Sequence, residues 1–115
     1  METTQAVDKL AALAQETRLR IFRLLVEAGP AGMNAGAIAE ALDIPAATLS
    51  FHVAHLARVG LVASRQESRF IFYSAGFPAM DDLIAYLTDN CCQGKQCLPK
   101  TAAVATTAKR RARAV

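Results

Sequence analysis

The most constraining feature of this sequence is a pair of short helical segments joined by a tight turn and followed at once by a strand–turn–strand pattern. Asn34 is a favourable N-cap for the first segment, residues 34–42. Asp43-Ile44 forms the turn, and Pro45 suits the first helical position of the next segment. This second segment, residues 46–59, ends at Gly60, which tolerates the left-handed conformation of a helix end. A helix, a tight turn, a second helix and a hairpin in this order predict a winged helix-turn-helix.

Two further helices are expected before this unit. Apolar residues at helical spacing indicate a first helix over residues 4–14, capped by Thr3 or Thr4. A second helix follows from Thr17 and stops at Gly29-Pro30. Because its apolar residues lie on more than one side, we expect this second helix to be largely buried.

The hairpin and a last helix complete the predicted fold. Residues 61–65 and 69–74 are rich in β-branched and aromatic residues and read as two strands around Gln66-Glu67-Ser68. Pro78 suits the first turn of a fifth helix that runs toward Asn90. The fold class is therefore mainly α with a β-hairpin wing (α+β), in the order of four helices, two strands and a fifth helix.

Length and charge limit the organisation of the chain. At 115 residues it fits one folded domain, which we place at residues 1–92, followed by a tail over 93–115. The net charge of +3 comes from the tail, where four basic residues lie between 109 and 113. Such a run is more often a solvated end than a nucleic-acid contact, although weak attraction to phosphate stays open. Neither a secretory signal nor ~18 consecutive apolar residues occur, so we expect a cytoplasmic protein without membrane contact.

Four spaced motifs in this order resemble the ArsR family of metalloregulatory repressors. They are residues 13–25 (LAQETRLRIFRLL), 38–42 (IAEAL), 48–53 (TLSFHV) and 60–62 (GLV), and the resemblance spans roughly residues 7–90. It implies that residues 46–57 form the recognition helix, which enters the major groove of operator DNA, and that residues 65–69 form the wing.

The DNA-contacting residues follow from this resemblance together with the residue types. Thr48, Ser50, Phe51 and His52 are the candidates on the recognition helix. Two arginines, Arg65 and Arg69, flank the wing tip, where cations would meet phosphate. The alternatives are exposed hydroxyls and solvated charges without a ligand. His52 and His55 could instead be partly buried and neutral, or share a metal ion.

Two departures from the family pattern affect this interface. Pro45, Ala46 and Ala47 stand where family members often have polar residues, and Ser68 stands where the wing usually has glycine. Base reading at the start of the recognition helix must therefore depend on apolar contact, for example with a thymine methyl group, or on the neighbouring hydroxyl and imidazole groups.

An apolar stripe on the fifth helix predicts a homodimer in which the first and fifth helices pair across a two-fold axis. We expect a core of this size to leave part of the stripe uncovered, although an intramolecular role for it stays open. The residues expected at the interface are Leu10, Met80, Leu83, Ile84 and Leu87.

Three cysteines lie within seven residues, and no other cysteine occurs in the chain. We call Cys91, Cys92 and Cys97 the thiol cluster. The first two are expected to end the fifth helix, and Gly94 lets the chain turn so that Cys97 reaches both. Three thiolates satisfy trivalent arsenic or antimony, whereas a closed structural zinc site needs a fourth ligand. The open alternatives are cadmium, lead or copper(I), a thiol redox switch, and cysteines without a role.

The resemblance also bears on the ligand. The cluster resembles the C-terminal cysteine site of arsenic-responsive family members. Residues 34–42 contain no cysteine and residues 77–90 no histidine, so the family's other metal sites are missing. We therefore expect a homodimeric repressor that binds operator DNA and is released by As(III) or Sb(III), one per chain. No organic cofactor or protein partner is implied. No catalytic constellation stands out, so an enzyme is not expected, and a soft-metal carrier would leave the helix-turn-helix unexplained.

Overall fold

The computed structural model describes residues 1–94, and it contains five helices and three strands in that part of the chain. Cys97 and the basic residues 109–113 lie outside the described residues. Within residues 1–94, no helix is long and apolar enough to cross a membrane. The elements are α1 (Thr3–Leu13), α2 (Glu16–Ala28), β1 (Met33–Asn34), α3 (Ala35–Leu42), α4 (Ala46–Arg58), β2 (Val62–Glu67), β3 (Phe70–Ala75), α5 (Phe77–Thr88) and a short 3-10 turn (Cys91–Gly94).

The predicted winged helix-turn-helix is confirmed, and the sheet contains one strand more than expected. The order is β1-β3-β2 with antiparallel pairing throughout, so β3 is central. The additional strand β1 is only two residues long, and Met33 pairs with Tyr73. A segment this short has no alternation for sequence analysis to detect.

The tip of the wing lies farther along the chain than predicted. The ladder between β2 and β3 continues to the pair Glu67–Phe70, so Ser68 and Arg69 form the turn. The expected turn at residues 66–68 is therefore wrong. Ser68 has a φ of 59°, a left-handed conformation that glycine adopts more readily than serine.

The core lies between α2, α3, α4 and the sheet. Its fully buried side chains include Ile21, Leu25 and Ile38. The predicted inner face of α4 is confirmed, since Leu49, Val53 and Leu56 are all buried. The second helix is less enclosed than expected, because Leu19 on α2 is 45% exposed. The core therefore fixes α4 by one face and leaves its opposite face in solvent.

The structure corrects three helix ends. The N-cap of α1 is Glu2 rather than a threonine, and the backbone N–H of Glu2 donates to Oε1 of Gln5 at 3.0 Å. Pro45 is the N-cap of α4 and not its first helical residue. Helix α5 ends at Thr88, so the cysteines lie beyond the helix. By contrast, the Asn34 cap is confirmed, because its Oδ1 accepts from the backbone N–H of Ala37 at 2.8 Å.

One glycine fixes where the wing joins α5. The backbone N–H of Gly76 donates to the carbonyl of Leu61 at 2.7 Å. A Cβ at position 76 would collide with the carbonyl oxygen of Gly60, at the end of the segment that leaves α4. Glycine at position 76 thus allows the close backbone approach that sets the wing beside the recognition helix.

Candidate DNA interface and thiol cluster

The turn between α3 and α4 orients the candidate recognition helix. Asp43 adopts the left-handed conformation with φ 52°, and the backbone N–H of Ile44 donates to the carbonyl of Ala39 at 3.1 Å. This bond closes the C-terminus of α3 and redirects the chain into α4 within three residues. Because the apolar face of α4 packs on the core, residues three and four apart on the other side form an outward stripe.

The outward stripe of α4 consists of small and apolar residues with one hydroxyl. We call Ala47, Ser50, Phe51 and Ala54 the outer stripe, and all four are exposed. The Phe51 side chain is 65% exposed, which is unusual for a large aromatic residue. Two of the four predicted contact residues on α4, Ser50 and Phe51, thus face solvent.

The other two predicted residues lie on the flank of α4. Thr48 and His52 are half-buried, as is His55. The ring of Phe51 meets the ring of His52 edge-on, with 5.3 Å between centroids and 70° between planes. The two aromatic side chains therefore support each other at the boundary between the flank and the outer stripe.

Arg18 is a residue of this region that sequence analysis missed. Its Nε donates to the carbonyl of Ala12, near the end of α1, at 2.6 Å, and its Nη1 lies 3.4 Å from Nδ1 of His52 on α4. Its backbone N–H donates to Oε1 of Gln15 at 2.8 Å. A cation is favourable at the carbonyl end of a helix. The side chain connects α1 to the recognition helix, and no local pattern reveals a partner as distant in sequence as His52.

Both histidines of α4 favour the neutral form. Partial burial lowers the pKa of His52 from its ordinary 6.5, and the nearby charges of Arg18 and then His55 lower it further. Desolvation also lowers the pKa of His55, with Arg18 and Arg58 as additional causes. A neutral imidazole lets Nδ1 of His52 accept from Arg18. At physiological pH the flank of α4 is therefore uncharged at these two positions.

The two arginines of the wing have different surroundings. The guanidinium of Arg65 contacts Oε1 of Glu67 through Nε at 2.8 Å, donates from Nη2 to the carbonyl of Ala31 at 2.9 Å, and lies 4.9 Å from the centroid of the Phe72 ring. Arg69 is exposed at the hairpin turn, and no hydrogen bond or ion pair within residues 1–94 holds its side chain. Arg69 is thus the wing cation available for phosphate, whereas Arg65 stabilises the wing.

The two described cysteines lie at the end of the described chain. Their Sγ atoms are 3.7 Å apart, and Cys92 takes part in a disulfide. The turn that carries them is unusual, because Asn90, Cys92 and Gln93 all have φ between 54° and 58°. Among residues 1–94 no three histidine, cysteine or acidic side chains are grouped to hold a metal ion.

The predicted dimer residues divide into two groups. Leu83 is only 5% exposed, and Met80 packs against the core, so these two support α5 within one chain. Leu10 and Leu87 are 41% and 58% exposed, while Ile84 is half-buried. We call Leu10, Ile84 and Leu87, together with the exposed Val7, the α1/α5 surface. The hydroxyls of Thr3 and Tyr86 hydrogen-bond across the same two helices.

The fold and the exposed helix after the turn define a winged helix-turn-helix DNA-binding protein. A family model described as a helix-turn-helix domain matches residues 13–65. The transcriptional activator HlyU of Vibrio cholerae is 32% identical over 94 residues, covering 82% of this chain and 84% of HlyU. A solved HlyU structure from that organism has a TM-score of 0.63 at 33% identity, covering 81% of this chain and 100% of that one.

A second solved relative is described as a homodimeric DNA-binding domain. This solution structure, from a possible ArsR-family regulator of Mycobacterium bovis, has a TM-score of 0.61 at 26% identity and covers 84% of this chain and 89% of its own. The transcriptional repressor BigR of Xylella fastidiosa has a TM-score of 0.59 at 28% identity, with 82% and 91% of the two chains covered. The chain belongs to the ArsR family of winged helix-turn-helix transcriptional regulators.

Proposed function

We propose that this regulator is a homodimer that occupies operator DNA and leaves it when the thiol cluster is occupied. The observation that carries the proposal is the separation of two surfaces in one small fold. The outer stripe of α4 faces solvent in the middle of the described chain, and the cysteines follow the far end of α5. A ligand on the cysteines therefore acts on DNA binding through the helices that lie between them.

The α1/α5 surface supports the dimer. Val7, Leu10 and Leu87 are each more than 40% exposed, and they lie on two helices that pack against each other. Exposed apolar residues grouped in this way indicate a protein contact. A second copy of the same chain fits, since two-fold dimers present the same patch on both subunits and match palindromic operators. The homodimeric description of the Mycobacterium bovis relative agrees with this choice.

Trivalent arsenic or antimony is our first candidate for the ligand. The sulfurs of Cys91 and Cys92 lie 3.7 Å apart, and the sequence places Cys97 five residues beyond Cys92. Soft ligand atoms select soft centres, and a three-coordinate metalloid needs no further ligand from the protein. Occupation of the cluster would deprotonate the thiols and draw the segment beyond α5 together.

Thiol oxidation is the second candidate, and two observations favour it. Cys92 takes part in a disulfide in the structure, and one solved relative, 31% identical, is described as reduced HlyU. In such a switch two thiols give two electrons and two protons to an oxidant such as a peroxide, and a disulfide forms. The same cysteines would then act without a bound metalloid.

We place the protein as a repressor because occupation of a promoter is enough to block transcription. The outer stripe and the wing supply a DNA contact without any further surface. The relatives include both an activator and a repressor. Direct measurement of promoter output therefore decides whether this protein represses or activates transcription.

Operator release distinguishes these candidates. Operator sites are first selected from a random-sequence duplex library with the reduced protein. Affinity for the selected duplex is then measured with arsenite, antimonite, cadmium, zinc or hydrogen peroxide. We expect arsenite and antimonite to lower affinity by about 5–150-fold, a range typical of allosteric coupling. Release by peroxide alone, reversed by a dithiol, would favour the redox switch, and failure to select any sequence would contradict the proposed function itself.

A further inference from the structure

The recognition helix lacks the side chains that usually read bases through paired hydrogen bonds. Arginine or lysine recognises guanine, asparagine or glutamine recognises adenine, and acidic residues accept from cytosine. None of these six residue types occurs in residues 46–57, and the first is Arg58 at the last position of α4. A helix of this composition needs another means of selecting a sequence.

The exposed groups of α4 fit one feature of the major groove. The outer stripe presents the methyl groups of Ala47 and Ala54, the hydroxyl of Ser50, and the Phe51 ring at 65% exposure. Among the base edges in that groove, only thymine carries an apolar group, its C5-methyl. Residues at spacings of three and four share one face, so these side chains meet the same few base pairs.

On the flank of α4, His52 packs against the exposed ring of Phe51. The His52 ring is edge-on to Phe51, and Nη1 of Arg18 lies 3.4 Å from Nδ1 of His52. Burial and the Arg18 charge lower the pKa of His52, so the group beside Phe51 is neutral. A supported, uncharged aromatic side chain pays little conformational entropy on contact with a base edge.

We infer that the outer stripe of α4 reads thymine methyl groups in the major groove, with Phe51 as the residue that determines this specificity. The inference rests on the proposed DNA-binding function and deepens it by naming the chemical group that is recognised. The selected operator should contain thymine at fixed positions of each half-site. Replacing such a thymine with deoxyuridine removes only the methyl group and leaves the hydrogen-bonding edge unchanged.

The test combines this base change with a protein variant. Full-length protein selects its operator from a random duplex library, and each thymine is then replaced in turn by deoxyuridine. At one or more positions per half-site, we expect binding about fourfold weaker per lost methyl, the value that corresponds to burying one such group. Phe51→Ala should bind the thymine operator more weakly and lose the difference between thymine and deoxyuridine.

Phe70→Ala is the matched control, because Phe70 is also a highly exposed phenylalanine, at 54% against 65% for Phe51, and lies on the wing. This variant should keep the full difference between the two bases whatever its affinity. An unaltered thermal unfolding curve for Phe51→Ala checks that the fold persists. A selected motif that tolerates deoxyuridine everywhere overturns the inference and leaves the function intact. A difference that persists in Phe51→Ala removes Phe51 from the role, and failure to select any motif contradicts both proposals.

Discussion

The two halves of this molecule bury their apolar side chains to different degrees. The unit formed by α2, α3, α4 and the sheet holds most of the buried core, and Leu25, Ile38 and Leu56 have no exposed surface. The pair formed by α1 and α5 buries only Ala6, Ala12 and Leu83, and Leu10 and Leu87 remain 41% and 58% exposed. The exposed apolar side chains of the first half include Phe51 on the outer stripe, where we propose that DNA binds, whereas those of the second half form the α1/α5 surface, where we propose that a second subunit binds.

Under the proposed function, this difference would explain how one small fold combines DNA reading with a response to a ligand. A tightly packed unit holds the geometry of α4 constant, because close-packed cores resist small displacements. A surface completed by a second subunit is easier to rearrange, since its contacts are made between chains. The cysteines adjoin the second region. Under the proposed function, a ligand there would alter the distance between two reading units without disturbing either one.

The largest expected effect is a difference between the two halves in how much a leucine-to-alanine change lowers stability. Leu56→Ala should lower the free energy of unfolding by about 2–5 kcal/mol, because it removes a fully buried side chain of the reading unit. Urea denaturation measures this loss. Leu10→Ala, in the α1/α5 surface, is the matched change. At protein concentrations where the chains are monomeric, this change should lower the free energy of unfolding by no more than about 0.5 kcal/mol, as at other exposed positions. Equal costs would contradict the comparison.

The next effect concerns assembly. Leu87→Glu should weaken the dimer by at least about a hundredfold, because an unpaired carboxylate in an apolar interface costs several kcal/mol. Sedimentation analysis measures the dissociation constant, and operator affinity should fall with it. Leu19→Glu is the control, as Leu19 is similarly exposed but lies on α2. Leu83 is unsuitable for this test, because it is already buried within one chain. An intact Leu87→Glu dimer would place the interface elsewhere.

A smaller effect distinguishes the two arginines of the wing. Arg69→Ala should weaken binding to all DNA sequences and make the log–log salt dependence shallower by about one unit per chain. Arg65→Ala should change this slope less, because Glu67 already pairs with its guanidinium. Fluorescence anisotropy over a salt series measures both slopes. The assignment fails if Arg65→Ala gives the larger change.

The smallest effect is a pH dependence that originates in the reading unit. Because the pKa of His52 is lowered in the fold, the unfolded chain takes up a proton more readily. The contribution of the neutral His52 to stability is therefore fully present above the ordinary pKa of 6.5. It is lost as the pH falls through the lower pKa of the folded state. His52→Asn keeps an acceptor for Arg18 and should reduce this loss between about pH 7.5 and about pH 5.5 in urea unfolding. An unchanged pH dependence would exclude His52 as a cause.

Sequence analysis recovered the elements whose signals are local. The Asn34 cap, the Gly29 stop and the inner face of α4 depend on neighbouring residues, and the structure has them as predicted. The turn of the wing was predicted too early in the chain, because residues 66–67 carry polar side chains but still pair in the ladder. Backbone pairing on an exposed edge does not require apolar side chains, so hydropathy alone ends such strands too early.

Features that depend on distant residues were not predictable. The contacts of Arg18 reach Ala12 and His52, and nothing in the surrounding motif indicates either partner. Periodicity placed Leu83 and Leu87 on one face of α5, but only the packed fold shows that Leu83 is covered by its own chain. A stripe specifies which side of a helix is apolar and not which neighbour covers it. The candidate site residues therefore separate into buried supports and exposed contacts only in three dimensions.

The separation of reading from sensing is tested most directly by operator affinity with and without arsenite for reduced wild-type protein and Cys92→Ser. Serine has nearly the shape of cysteine but is a poor ligand for a soft centre. We expect Cys92→Ser to bind the operator with wild-type affinity and to stay bound when arsenite is added. Gln93→Ser, in the same left-handed turn, should respond as the wild type does. Loss of DNA binding by Cys92→Ser without arsenite, or release by arsenite at unaltered potency, would contradict the account.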